Sequence, residues 1–223
     1  MNIEKLKQNL DLVKKAIADT GAKDVQIVAA TKTQTIETID MLHSLDASII
    51  FGENRVQEMC LKFNPKYSWH FIGQLQSNKV KDVIDKVELI HSLDRLSLAQ
   101  ELEKQAEKHG KFIFTLIEIN IGNELSKGGI EEGELNEFAK QLTDFSNIKV
   151  EGIMSVAPSN LTGDKLNDCF KKLQEMFLSL KGFNAPNFDV KTLSAGMSHD
   201  FVSAVKYGAN MVRLGTALFG ERI

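Results

Sequence analysis

The sequence predicts a closed (β/α)8 barrel of the TIM type, an α/β fold, preceded by one extra N-terminal helix. Three observations carry that expectation. Eight short apolar runs alternate with amphipathic stretches, which argues for a parallel sheet. The chain has 223 residues, and a closed barrel of eight such units runs to about 200–250. Small or polar residues follow nearly every apolar run, at the strand ends where such barrels keep their functional groups. An open doubly wound sheet is the alternative. It usually shows a glycine fingerprint after its first strand, and this chain has Thr31, Lys32 and Thr33 there.

The elements follow in order. Ile3, Leu6, Leu10, Val13 and Ile17 fall at helical spacing, so 3–19 reads as an amphipathic helix. The run Val25 to Ala30 reads as a strand buried on both faces. Further strands are expected at 48–51, 69–72, 88–91, 112–119, 148–153, 190–193 and 210–214. Helices fill the intervals at 35–45, 53–62, 76–86, 94–109, 131–144, 164–181 and 199–207, with a short one from 216. Pro65, Pro158 and Pro186 all fall between elements, where a missing N–H breaks no ladder. No repeat, low-complexity segment or linker interrupts the pattern, so residues 1–223 read as one domain.

Composition narrows the function classes. A net charge of −3, with 23 lysines scattered over presumed helix surfaces, gives no electrostatic case for nucleic acid. No apolar run approaches the roughly 20 residues needed to cross a bilayer, and the start, Met1 to Leu6, has no leader-like apolar region. Cys60 and Cys169 lie far apart without metal-ligand spacing. A reduced, cytoplasmic setting with no metal, and a monomer, are expected. The four arginines are Arg55, Arg95, Arg213 and Arg222, so one inside an apolar run draws notice.

Lys32 closes the first strand. A desolvated lysine at such a position gives up its proton easily and forms a Schiff base with an aldehyde; the alternative is a solvated lysine opening a loop. The last two loops suit phosphate. Barrels bind it with the loops after strands seven and eight and the start of a short helix. Here those are Ser194-Ala195-Gly196-Met197-Ser198 and Gly215-Thr216. Glycine admits close backbone approach, helix-start amides favour anions, and the Ser194 and Thr216 hydroxyls add donors. Tight turns chosen for packing remain the other reading. Arg213 lies inside Met211-Val212-Arg213-Leu214 and needs an acceptor: a ring nitrogen of the ligand, or an acid such as Glu118 or Glu151 inside the barrel. A phosphorylated aldehyde with a ring nitrogen is pyridoxal 5′-phosphate (PLP).

At these residues the chain resembles the pyridoxal-phosphate homeostasis proteins, the YggS/PROSC family, whose barrel is similar to the N-terminal domain of alanine racemase. The matching segments run in family order from Ala29-Ala30-Thr31-Lys32-Thr33 through Phe51-Gly52-Glu53-Asn54-Arg55-Val56-Gln57-Glu58 and Trp69-His70-Phe71-Ile72-Gly73. They continue through His91-Ser92-Leu93-Asp94-Arg95, Gly152-Ile153-Met154 and Leu193-Ser194-Ala195-Gly196-Met197-Ser198 to Arg213-Leu214-Gly215-Thr216-Ala217-Leu218-Phe219-Gly220. The resemblance implies Lys32 as the Schiff-base lysine, Ser194, Gly215 and Thr216 around the phosphate, Arg213 at the ring nitrogen and Asn54 lining the pocket. Ala195, Gln74 and Gln34-Thr35 depart from the family pattern; none is a proposed ligand-binding side chain.

Two competing functions belong to other classes. A racemase needs an acid or base on each face of the cofactor, and Lys32 supplies one. Racemases of this fold bring a tyrosine from an additional domain, whereas Tyr67 and Tyr207 sit away from the strand carboxyl ends. His70, His91 and His199 are candidates to substitute. An interaction protein is the third class, because Glu53-Asn54-Arg55 and Gln76-Ser77-Asn78-Lys79 could face a partner, although such residues more often cap helices. The reading that results is a PLP carrier without a catalytic residue. It stores or delivers cofactor and limits free aldehyde, with PLP-dependent apoenzymes as the candidate recipients.

Overall fold

Asn2 starts the first helix. Its Oδ1 accepts the Lys5 N–H at 2.9 Å, satisfying one of the amides that a helix start leaves open. In this computed structural model, which describes residues 2–122, 124 and 127–221, helix α1 (Ile3–Ala18) buries Leu6, Leu10, Val13 and Ile17. The order then runs β1 (Gln26–Ala30), α2 (Ile36–Leu45), β2 (Ile50–Glu53), α3 (Val56–Lys62), β3 (Trp69–Phe71), a 3-10 turn (Ser77–Lys79) leading into α4 (Val80–Val83), and β4 (Leu89–Leu93). It continues with α5 (Leu96–His109), β5 (Ile113–Ile119), α6 (Leu135–Leu142), β6 (Ile148–Ser155), α7 (Gly163–Lys181), β7 (Phe188–Ser194), α8 (Phe201–Lys206), β8 (Met211–Leu214) and α9 (Thr216–Phe219). Arg222 lies outside the described residues.

The eight strands pair in sequence order, and β8 closes on β1 to form a barrel. All the pairings are parallel; Val28 sits in register with Ile50 on one side and Arg213 on the other. The open-sheet alternative is thereby excluded. The larger apolar core lies between the strands and the helix ring. A smaller cluster of Val28, Ile50, Ile72, Leu89, Leu116, Met154 and Met211 fills the barrel interior, as closed barrels require. Between β6 and β7 the backbones nearly touch: a Cβ on Gly152 would lie 1.8 Å from the Thr192 carbonyl oxygen.

Several boundaries differ from the sequence expectation. The helix expected from 53 starts at Val56, because Glu53 belongs to β2 with its side chain buried. Strands β4 and β6 run on to Leu93 and Ser155. Ser92, Met154 and Ser155 therefore lie within strands, not in the loops after them. Ser155 can lie there because its Oγ donates to Ile119 O at 2.6 Å. The stretch 76–86 is a 3-10 turn and one turn of α-helix instead of a continuous helix. Neither Arg55 nor Gln76, at the starts of these two segments, makes a side-chain cap hydrogen bond, so the capping expectation fails at both.

Candidate functional site

Lys32 occupies the turn two residues beyond β1 and is exposed. The desolvated lysine expected from the sequence is therefore not found, because β1 ends at Ala30 and the buried residue of the turn is Thr31. Lys32 lines a cavity of about 200 Å³ at the carboxyl ends of β1, β7 and β8. Met197, Arg213, Gly215 and Thr216 share that wall, together with Gln34, Ser198 and His199. Of the eight residues expected at the site, five thus converge on one cavity.

The other three stand elsewhere. Asn54 lines a second cavity of about 240 Å³ at the same end of the barrel, beside Gln74, Glu118, Asn120 and Lys127. Gly196 supports the loop from behind. Its φ is +93°, and a Cβ there would lie 2.8 Å from both Ala204 Cβ and Phe201 Cα; its carbonyl accepts the Arg213 N–H at 3.0 Å. Ser194 is fully buried, and its hydroxyl faces the barrel interior, 2.7 Å from Arg213 Nη1 and 3.2 Å from His91 Nδ1.

The loop hydroxyl that meets backbone amides is Ser198. The Gly215 and Ala217 N–H groups donate to its Oγ at 3.1 and 3.0 Å. Two amides converging on one oxygen show that the start of α9 can hold an electron-rich atom. Among the described residues, the Thr216 N–H has no protein acceptor. With the Thr216 hydroxyl beside it, this donor set fits a phosphate. In the sequence Ser198 shares the loop after the seventh strand with Ser194; this second hydroxyl, four residues on, is the signal that marks it.

Arg213 is buried and held from within. Nη1 donates to Ser194 O at 3.0 Å as well as to its hydroxyl, and Nη2 donates to Ser155 O at 2.8 Å. Burial lowers its pKa to about 10. Neither acid considered from sequence pairs with it: Glu151 bridges Lys191 at 2.6 Å, and Glu118 takes its hydrogen bond from Gln74. Burial raises the Glu118 carboxyl to about 7, helped by Asp94 and opposed by Arg213 and by the Gln74 hydrogen bond. Gln74 Nε2 donates to it at 2.7 Å.

A hydrogen-bond chain extends inward from Arg213. The guanidinium can only donate, so Ser194 Oγ accepts from Arg213 Nη1 and lies 3.2 Å from His91 Nδ1. His91 Nε2 in turn lies 3.0 Å from His70 Nδ1. Both histidines are buried. Burial lowers His70 to about 3 and, with His70 and Arg213 adding to the effect, carries His91 well below the usual imidazole range. Neither lines the Lys32 cavity; His199 does. Tyr67 precedes β3 and Tyr207 follows α8, at the far end of the barrel from the cavity. Among the described residues, no group of three or more His, Cys, Asp or Glu side chains could hold a metal, and no helix is long and apolar enough to cross a membrane.

Known proteins resemble the whole of this arrangement. Residues 1–223 match the family model described as alanine racemase, N-terminal domain. A pyridoxal phosphate homeostasis protein of Aquifex aeolicus is 40% identical over 225 residues, covering 98% of this chain and 97% of its own. One of Haemophilus influenzae is 36% identical over 236 residues, covering 100% and 97%. PipY of Synechococcus elongatus, solved with PLP bound, is 29% identical, with a TM-score of 0.85 over 96% of this chain and 100% of its own. An alanine racemase of Clostridium difficile superposes with a TM-score of 0.76 at 18% identity, matching 100% of this chain and 58% of its own; that likeness shows the fold.

Proposed function

The chain belongs to the alanine racemase N-terminal-domain family and within it to the pyridoxal phosphate homeostasis proteins, and from that premise we propose that it binds PLP and acts as a carrier. The observation that supports this most directly is one cavity bringing together an exposed primary amine, an anion-binding turn and a buried arginine. When bound, PLP supplies an aldehyde that condenses with a primary amine. Lys32 is the amine that would hold it as a Schiff base. The Ser198, Gly215 and Thr216 turn would hold the phosphate, with Met197 beside it and Gly196 setting the loop's path. Arg213, immobilised by Ser194 and Ser155, would donate to the pyridine nitrogen. A guanidinium with a pKa of about 10 keeps its proton at neutral pH and leaves that nitrogen unprotonated. Asn54 would border the mouth from the β2 side.

The same features favour carriage over catalysis. A racemase needs a second acid or base opposite the lysine, and neither described tyrosine reaches the cavity. Lys32 is exposed, so incoming amines and water can reach the bound aldehyde, which suits exchange of cofactor. The role this gives the protein is storage or delivery of PLP in a reduced, cytoplasmic setting, as a monomer, with PLP-dependent apoenzymes as recipients.

Incubating the PLP-loaded protein with L-alanine in deuterated water tests the carrier. The expected α-proton exchange stays near that of free PLP, and transfer to an apoenzyme outpaces release into solution. Rapid deuteration with D-alanine formation would establish a racemase instead. Transfer no faster than release would leave storage without delivery.

A further inference from the structure

We propose that Glu53, Glu58 and Lys62 form a clamp that positions Lys32 by fixing the residues on either side of it. This rests on the reading of Lys32 as the attachment amine. The clamp is built from two elements. Glu53 ends β2 and is fully buried, while Glu58 and Lys62 are one turn apart on α3. Lys62 Nζ donates to Glu53 Oε1 and Glu58 Oε2, each at 2.7 Å, and to the Thr31 carbonyl at 2.8 Å. Three acceptors use all three protons of an ammonium. Lys62 is therefore fully engaged and withdrawn from competition for an aldehyde.

The carboxylates complete the hold. The Thr31 hydroxyl donates to Glu53 Oε1 at 2.8 Å, and the Thr33 N–H donates to Glu58 Oε2 at 2.9 Å. Thr33 has a φ of +66°, a left-handed conformation that a β-branched residue rarely adopts without external support. The bond to Glu58 supplies such support. Both neighbours of Lys32 are thus anchored while its own side chain stays exposed. Lysine has a long flexible stem, so fixing its backbone is the economical way to keep the amine at the cavity, where attachment depends on near-attack geometry. None of the three clamp residues lines the Lys32 cavity. They act through the turn and are positioning residues.

Glu58→Ala removes the Thr33 acceptor and leaves the buried Lys62–Glu53 pair intact. Glu58→Gln keeps an acceptor oxygen and serves as the conservative control. Amide hydrogen exchange on PLP-free protein reads the turn directly. Glu58→Ala should speed exchange at Thr33 about tenfold, the scale of losing one hydrogen bond, while β5 and β6 stay protected. With PLP added, covalent attachment at Lys32, followed by absorbance and by borohydride trapping, should slow about tenfold in Glu58→Ala and remain near wild type in Glu58→Gln. Attachment at the wild-type rate in Glu58→Ala, with or without faster exchange, overturns the clamp. Lys62→Met frees the Thr31 carbonyl and should act in the same direction; a folded Lys62→Met protein with wild-type attachment overturns it too. If wild-type protein traps PLP on a lysine other than Lys32, the reading beneath the proposal fails instead.

Discussion

Replacing Glu118 with glutamine should stabilise the protein at neutral and alkaline pH, by an amount set by the burial of that carboxyl. Glu118 is 8% exposed, and burial moves its pKa from 4.5 to about 7. The folded protein therefore retains a proton, between pH 4.5 and about 7, that the unfolded chain has released. Stability falls as pH rises through that window. At about 1.36 kcal/mol per unit, the full effect is about 3 kcal/mol. His70 and His91 act with the opposite sign. Their pKa values are lowered from 6.5 by burial, so the unfolded chain takes up protons first and stability is lost as pH falls below 6.5. Both histidines are present in wild type and in Glu118→Gln, so their contribution cancels in the difference. Glutamine keeps an oxygen for the Gln74 amide. Urea unfolding of both proteins, extrapolated to water at a series of pH values, should show Glu118→Gln gaining about 3 kcal/mol on wild type between roughly pH 4.5 and pH 8. A difference that stays flat across that range would refute the assignment of Glu118 as a neutralised buried acid.

Three further outcomes follow from the site. Removing the Thr216 hydroxyl with valine should weaken PLP binding by about 1–2 kcal/mol while leaving unphosphorylated pyridoxal nearly unaffected; calorimetry with both ligands checks it, and equal losses would move the phosphate elsewhere. Ser194→Ala should instead weaken both ligands together, because its hydroxyl serves Arg213 and His91 inside the barrel; a loss confined to PLP would place that hydroxyl on the phosphate. Gly196→Ala should destabilise the fold by about 1–3 kcal/mol, since its Cβ would press on Ala204 and on the Phe201 backbone; an unchanged denaturation midpoint would contradict this.

The barrel was legible because its strands are short apolar runs whose burial leaves little freedom of register. Lys32, Gly215 and Thr216 were legible because barrel strand ends point to one face. What the sequence hid is mostly polar and interior. Ser155 looks like a loop residue until the barrel supplies a partner for it, and β4 and β6 both run past the strand ends their apolar runs suggest. Lys62 looks like any surface lysine of an amphipathic helix. Its burial follows from Glu53, on a different element, and the Glu58–Lys62 spacing hints at that pair without revealing the third member. Ser194 was expected to serve the phosphate because it opens the loop. The pleat turns it inward instead, and Ser198 meets the amides. Asn54 turns instead to a second cavity lined by residues at the ends of β3 and β5.

Carriage of PLP on Lys32 stands or falls with covalent attachment there. Loading the purified protein with PLP, reducing with borohydride and mapping the modified peptide decides it. The expected result is a visible-edge absorbance that reduction abolishes, with the label on the peptide carrying Lys32 and no covalent label in Lys32→Ala, which still binds some cofactor through its phosphate. A label on Lys127, beside the second cavity, or on Lys79, or an equal yield in Lys32→Ala, would contradict it.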